Sequence, residues 1–185
     1  MSNNSNASNS MLYSGGHKGA EVCFGECAEK YGMNEITYNF EGHEIDREKN
    51  VKILSEEELN HGMVSMDIVA KHMERTYGHT ENIRKIMQTI FAMINDGYQV
   101  FAVGWILSNK TIKGGTGWGV ELAKFFNRPV HVFDQDKNEW FTWKENNWVP
   151  DEPIITHRTL AATGTRQITE AGCAAIEDLF KRSFR

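Results

Sequence analysis

Apolar positions in this chain follow two periods in turn, and the switches between them mark its elements. Met11-Leu12-Tyr13-Ser14 is a short apolar run and predicts a strand. After the turn Gly15-Gly16-His17-Lys18-Gly19, the residues Ala20, Cys23, Phe24, Cys27, Ala28 and Tyr31 recur at helical spacing and stop at Gly32, a residue suited to a helix C-terminus. Residues 35–40 then alternate and are rich in β-formers, so they predict a second strand. Strand, glycine turn, helix and strand make a βαβ unit with parallel strands.

Residues 41–54 are polar and charged and predict a loop. Ser55, with Glu58 three residues on, forms a capping box that opens a helix carrying Leu59, Met63, Met66, Val69, Ala70 and Met73 on one face. A further helix starts near Thr80, carries Ile83, Ile86, Met87, Ile90 and Ile94, and ends at Asn95-Asp96-Gly97. Residues 99–106 are almost continuously apolar, which suits a central strand covered on both faces. Gly114-Gly115-Thr116-Gly117 leads into a helix that runs to about Phe126, and residues 129–133 form another buried strand. Asp136-Lys137-Asn138 turns into a hairpin strand, Trp140-Phe141-Thr142-Trp143. Residues 160–163 are a last short strand broken at Gly164, and a helix follows from about Thr169 through Phe180. Strands alternating with helices predict an α/β fold, a three-layer Rossmann-like sandwich on a mainly parallel sheet. The expected organisation is a disordered tail over residues 1–10 and one domain over 11–185, with a helical insertion at about 41–82.

Composition narrows the function classes. With 40% hydrophobic and 24% charged residues, the chain can build a packed core. Its net charge, 20 − 25 = −5, disfavours a nucleic-acid binder, which needs a basic footprint. No apolar run reaches the roughly 18 residues of a membrane span, and the Ser/Asn-rich start lacks the pattern of a signal peptide. Cys23, Cys27 and Cys173 make no disulfide framework and are expected to be reduced, which points to the cytoplasm. The seven histidines are scattered, and no metal site or cofactor is expected.

Three turns carry the candidate chemistry: the one from Ser14 to Gly19, the one at Gly114-Gly115-Thr116-Gly117, and Gly164-Thr165-Arg166. Each lies at the C-terminal end of a strand or just before a helix, the edge where open parallel sheets bind ligands. Glycine lets the backbone approach a ligand, and the first amides of the following helix point at an anion. With Lys18 and Arg166 beside them, the turns suit a nucleotide or sugar phosphate; short βα loops also need glycine for their own geometry. Glu121 stands four residues after Gly117 and is the candidate catalytic carboxylate, with Glu21 similarly placed after the first turn. Trp140, Trp143 and Trp148 suit edge packing, an oligomer contact or base stacking.

Gly114-Gly115-Thr116-Gly117-Trp118-Gly119-Val120-Glu121 resembles the GGxGTxxE motif of the Lonely Guy phosphoribohydrolases. Ser14-Gly15-Gly16-His17-Lys18-Gly19-Ala20-Glu21 is similar to the SGGARGxD loop of DNA-processing protein A. Both belong to the SLOG superfamily of Rossmann-like nucleotide-binding domains, and the resemblance covers most of residues 11–40 and 98–182. It implies a phosphate-binding role for Gly114, Gly115, Thr116 and Gly117 and a catalytic role for Glu121, and Arg84-Lys85 resembles the Arg-Lys pair of those enzymes. Trp118 replaces the motif threonine and Glu21 the usual aspartate. The strand-turn-helix that comes first in the superfamily comes last here, at Leu160 to Arg166, which implies a circular permutation. The expected strand order is Glu35, Leu12, Leu160, Val100, Val130, all parallel.

The function expected from this reading is binding of a small-molecule nucleotide or nucleotide-derived phosphate, with hydrolysis of the N-glycosidic bond of a nucleoside 5′-monophosphate as its enzymatic form. A non-catalytic nucleotide sensor is the alternative, and single-stranded DNA binding is disfavoured by charge. The resemblance also implies a homo-oligomer.

Overall fold

The structure is a computed structural model that describes residues 6–184. Its strands are β1 (Met11–Ser14), β2 (Asn34–Asn39), β3 (Val51–Ile53), β4 (Gln99–Gly104), β5 (Val130–Asp134), β6 (Glu139–Lys144), β7 (Asn147–Pro150) and β8 (Thr159–Gly164). Its helices are α1 (Ala20–Lys30), α2 (Glu56–Asn60), α3 (Met63–Met73), α4 (Glu81–Asp96), α5 (Thr116–Phe125) and α6 (Glu170–Ser183). All eight strands join one sheet in the order β3-β2-β1-β8-β4-β5-β6-β7. The pairs from β3 to β5 are parallel, and β6 and β7 extend the sheet as an antiparallel hairpin. The five strands expected from sequence therefore lie in the expected order. Leu160 pairs with Leu12 on one side and Gln99 on the other.

Alternation along the central strands divides the core. Val100 and Ala102 face a cluster built with α3, α4 and α5, while Phe101 and Val103 face one built with α1 and α6. Every residue of β4 is buried, as expected for a strand covered on both faces. Phe24, Phe101 and Phe180 are completely enclosed, and burial of each is worth roughly 1.5–3 kcal/mol. The α4 cap is Thr80, whose side chain accepts from Ile83 N, and α6 is capped in the same way by Thr169.

Four expectations are corrected. First, residues 6–10 of the expected tail are ordered: Ala7–Asn9 is a 3-10 turn with Ala7 buried, and Asn34 Nδ2 donates to Ser8 O at 2.8 Å; residues 1–5 lie outside the described residues. Second, the 41–54 loop contains the edge strand β3, paired with β2. Third, the helix opened by the Ser55–Glu58 capping box breaks at Gly62, where any side chain would run into the Phe91 ring; Met63, beyond the break, is exposed. Fourth, Cys23 and Cys173 form a disulfide that joins α1 to α6, and only Cys27 is a free, buried thiol. The two partners are 150 residues apart in sequence, so spacing alone did not pair them.

Candidate functional site

Because β8 lies between β1 and β4, the loops that leave the C-terminal ends of these three strands are neighbours. Together with α4 they enclose a cleft of about 310 Å³. His17 and Glu21 come from the first loop and the start of α1. Trp105, Lys113, Gly114, Gly115 and Thr116 come from the segment between β4 and α5. Thr163, Gly164, Thr165, Arg166 and Gln167 come from the end of β8 and its loop. The remaining wall is Ile86, Thr89, Ile90 and Met93 of α4. One side is thus apolar and the other presents backbone and cations.

The loops are locked to each other by main chain. Ala20 N donates to Thr165 O at 3.0 Å, and Thr165 N donates to Val103 O at 2.9 Å. Gly19 has φ +95°, and a Cβ there would collide with the carbonyl of Thr165 and the backbone of Arg166. Behind the second loop, Arg75 donates to the carbonyls of Gly114 and Ile112, each at 2.9 Å. Gly114 and Gly115 face open space at the mouth of α5, where Gly117 N and Trp118 N donate to Gly114 O and Gly115 O.

Charge in the cleft is uneven. Arg166 and Lys113 are exposed, and among the described residues neither makes an ion pair; Lys113 sits over the Trp105 ring at 5.3 Å. Glu21 is buried, with its Oε2 accepting from His17 N at 2.9 Å and from His17 Nδ1 at 3.0 Å, and its Oε1 accepting from Thr163 Oγ1 at 3.2 Å. His17 Nε2 lies 3.0 Å from His43 Nε2. His43 stacks on Phe40, and burial, followed by His17 and Arg166, holds its imidazole below the ordinary histidine range.

Of the residues expected from sequence, the cleft gathers Glu21, Gly114, Gly115, Thr116, Gly164, Thr165 and Arg166. The others are placed elsewhere, each for a physical reason. Ser14 is buried beneath the first loop, where its Oγ accepts from Gly16 N. Gly15 and Gly16 turn toward their own loop and the 41–47 segment; Gly16 O accepts from Asp46 N and Arg47 N. Lys18 points to solvent while its N–H donates to Asp46 Oδ2 at 2.9 Å, and Gly19 serves the loop contact described above. Gly117 packs against Ile112 O and Arg75, and Trp118 is buried beside Tyr77. Arg84 lies over the Tyr77 ring at the start of α4.

No family model, curated protein or solved structure matches this chain.

Glu121 is also outside the cleft lining. It pairs with Lys124 at 3.2 Å, and Lys124 Nζ lies 3.8 Å from the Trp143 ring centre and 5.1 Å from that of Trp148. Burial lowers the Lys124 pKa, and its ammonium donates to Lys110 O at 2.9 Å. Trp148 Nε1 donates to the same carbonyl, and Trp140 packs edge-on to Phe101 and Phe133. The three tryptophans therefore pack the β6–β7 edge, and none lines the cleft.

The sequence reading did not single out His17, Trp105 and Lys113, which line the cleft, or Arg75, which holds its second loop. His17 stands inside the quoted glycine loop and Lys113 directly before Gly114, so both had a local signal; Trp105 and Arg75 carry none.

A second cavity of about 460 Å³ lies at the opposite, N-terminal edge of β4 and β5. Its polar groups are already used. Thr142 Oγ1 donates to Asp151 Oδ2 at 2.7 Å and faces His131 Nδ1 at 2.7 Å, while His131 Nε2 lies 3.1 Å from Gln99 Nε2. Burial pushes the His131 pKa down to about 4. Among the described residues, no cluster of three or more His, Cys, Asp or Glu is placed to hold a metal ion, and no helix is long and apolar enough to cross a membrane.

Proposed function

We propose that the cleft at the C-terminal edge of β1, β8 and β4 binds a nucleotide or nucleotide-derived phosphate. The observation that carries this reading is the convergence of three strand-to-helix loops on one cleft with two unpaired cations, Lys113 and Arg166, facing an apolar wall. The phosphate would lie at Gly114-Gly115-Thr116 and the start of α5, with Lys113 and Arg166 closing on it. Ile86, Ile90 and Met93, with Trp105, would take the flat apolar part of the ligand. The resemblance to the SLOG superfamily supports the same site, and the central position of β8 is what a circular permutation of that fold would produce. Hydrolysis of the N-glycosidic bond is the reaction this resemblance brings. Glu121, the carboxylate that the resemblance brings to that reaction, lies outside the cleft lining and pairs with Lys124.

Equilibrium dialysis against a panel of nucleoside mono- and diphosphates tests the reading. Arg166→Ala and Lys113→Ala should each weaken binding about 10- to 100-fold, the worth of a charge-assisted hydrogen bond. Equal retention by both variants and the parent protein would remove the proposal.

A further inference from the structure

Glu21 is the one carboxylate among the residues that line the cleft, and it is only 4% exposed. Its position follows from the loop contact that builds the cleft. It is the second residue of α1, directly after Ala20, whose amide is tied to Thr165 O. α1 packs on one face of the sheet, whereas Ala161 of β8, and with it Thr163 two residues on, faces the helices of the other. Thr163 Oγ1 nevertheless donates to Glu21 Oε1 at 3.2 Å, so the Glu21 side chain crosses the strand ends between the two layers. The methyl group of Thr163 lies 3.4 Å, and Ile90 Cγ2 3.2 Å, from where a Cβ on Gly119 of α5 would stand. Thr163 therefore joins the carboxylate to the apolar wall and to α5.

The hydrogen bonds of Glu21 leave one place open. Oε2 accepts from His17 N at 2.9 Å and from His17 Nδ1 at 3.0 Å, which fills both of its lone pairs. Oε1 accepts from Thr163 alone among the described residues and keeps one lone pair. As a carboxylate the group donates nothing and repels phosphate. What it can take from a ligand is a hydroxyl or N–H.

We propose that Glu21 is the sugar-recognising residue of the cleft: its Oε1 accepts from a ribose 2′- or 3′-hydroxyl and makes the site select for an intact ribose. This rests on the nucleotide-binding reading above. In that reading Lys113, Arg166 and the Gly114 turn hold the phosphate, while Ile86, Ile90 and Met93 take the base. The sugar joins those two parts and carries the hydroxyl donors. The aliphatic wall offers the base no acceptor, and the negative charge of Glu21 turns the phosphate away toward the two cations. Glu21 thus fixes both the direction in which the ligand lies and which sugar it carries.

The test is equilibrium dialysis with AMP, GMP, CMP and UMP, each beside its 2′-deoxy and 3′-deoxy forms. For any ribonucleotide that the parent protein retains, at least one deoxy form should bind about 10- to 100-fold more weakly, the worth of a hydrogen bond to a charged acceptor. Glu21→Gln keeps the shape and removes the charge, and should bring that ratio to within about threefold. Lys113→Ala, on the phosphate side, should weaken all forms alike and leave the ratio unchanged. A carboxylate that only braced its own loop would alter the retention of intact and deoxy sugars by the same factor. Equal retention of all forms by the parent protein would overturn the proposal and leave nucleotide binding standing, a result that does not depend on any variant folding. An undiminished ratio in Glu21→Gln would do the same. Failure of every nucleotide to bind would remove both.

Discussion

The backbone N–H of Ala20 donates to the carbonyl of Thr165 at 3.0 Å, tying the first turn of α1 to the loop that leaves β8. This single bond joins segments far apart in sequence and sets the spacing of two of the three loops around the cleft. Gly19, immediately before Ala20, makes the approach possible. Gly19→Ala should therefore cost about 1–3 kcal/mol, because the new methyl meets the Thr165 carbonyl at a left-handed φ. Urea unfolding gives the loss, and nucleotide retention should fall with it; unchanged values for both would show that the loops are not coupled here.

Stability should depend on pH through His131. Its folded pKa, about 4, lies below the ordinary 6.5, so the folded protein favours the neutral ring. The contribution is complete above about pH 6.5 and is lost as pH falls toward 4, at no more than roughly 1.4 kcal/mol per unit. Protonation would set a second N–H against Gln99 Nε2, itself a donor to Ile154 O. Chemical denaturation at a series of pH values should show this slope in the parent and lose it in His131→Gln.

Glu121→Ala separates structure from ligand chemistry. It leaves the Lys124 ammonium partly buried without its carboxylate, held only by Lys110 O and the two tryptophan faces. A loss of about 1–3 kcal/mol in stability is expected, with nucleotide retention unchanged within about twofold. A large loss of retention would return Glu121 to the binding site.

Reduction of the Cys23–Cys173 disulfide should lower the unfolding free energy by about 2–5 kcal/mol, because the bond closes a long loop of the unfolded chain. Thermal unfolding with and without a reductant measures it, and the double Ser variant should match the reduced protein. Equal melting points would mean that the packing of α1 on α6 suffices alone.

Each of the five expected parallel strands was legible as a short apolar run with a turn signal at its end, while their order, with Leu160 in the middle, came from the resemblance of the last strand and its G-T-R turn to the superfamily's first strand-turn-helix. β3 was not legible: Val51, Lys52 and Ile53 are all exposed at the sheet edge, so no burial pattern marks them. Glu121 was assigned to the cleft by its four-residue offset from Gly117. That offset correctly places both on one helix face, but Gly117 packs against Ile112 and Arg75, so the shared face is not the cleft's. Lys113 stands directly before the Gly114 turn and reaches the cleft through the route of the chain from β4 to α5. The Cys23–Cys173 pair depends likewise on α1 and α6 lying side by side.

The central place of β8 has a consequence for synthesis. Until residue 164 has left the ribosome, β1 and β4 each lack the strand that separates them, and two open edges face solvent in the middle of the unfinished sheet. The nascent chain is then two half-sheets waiting for a wedge, and a fragment ending before Thr159 should be captured by chaperones or aggregate, although it already holds seven of the eight strands.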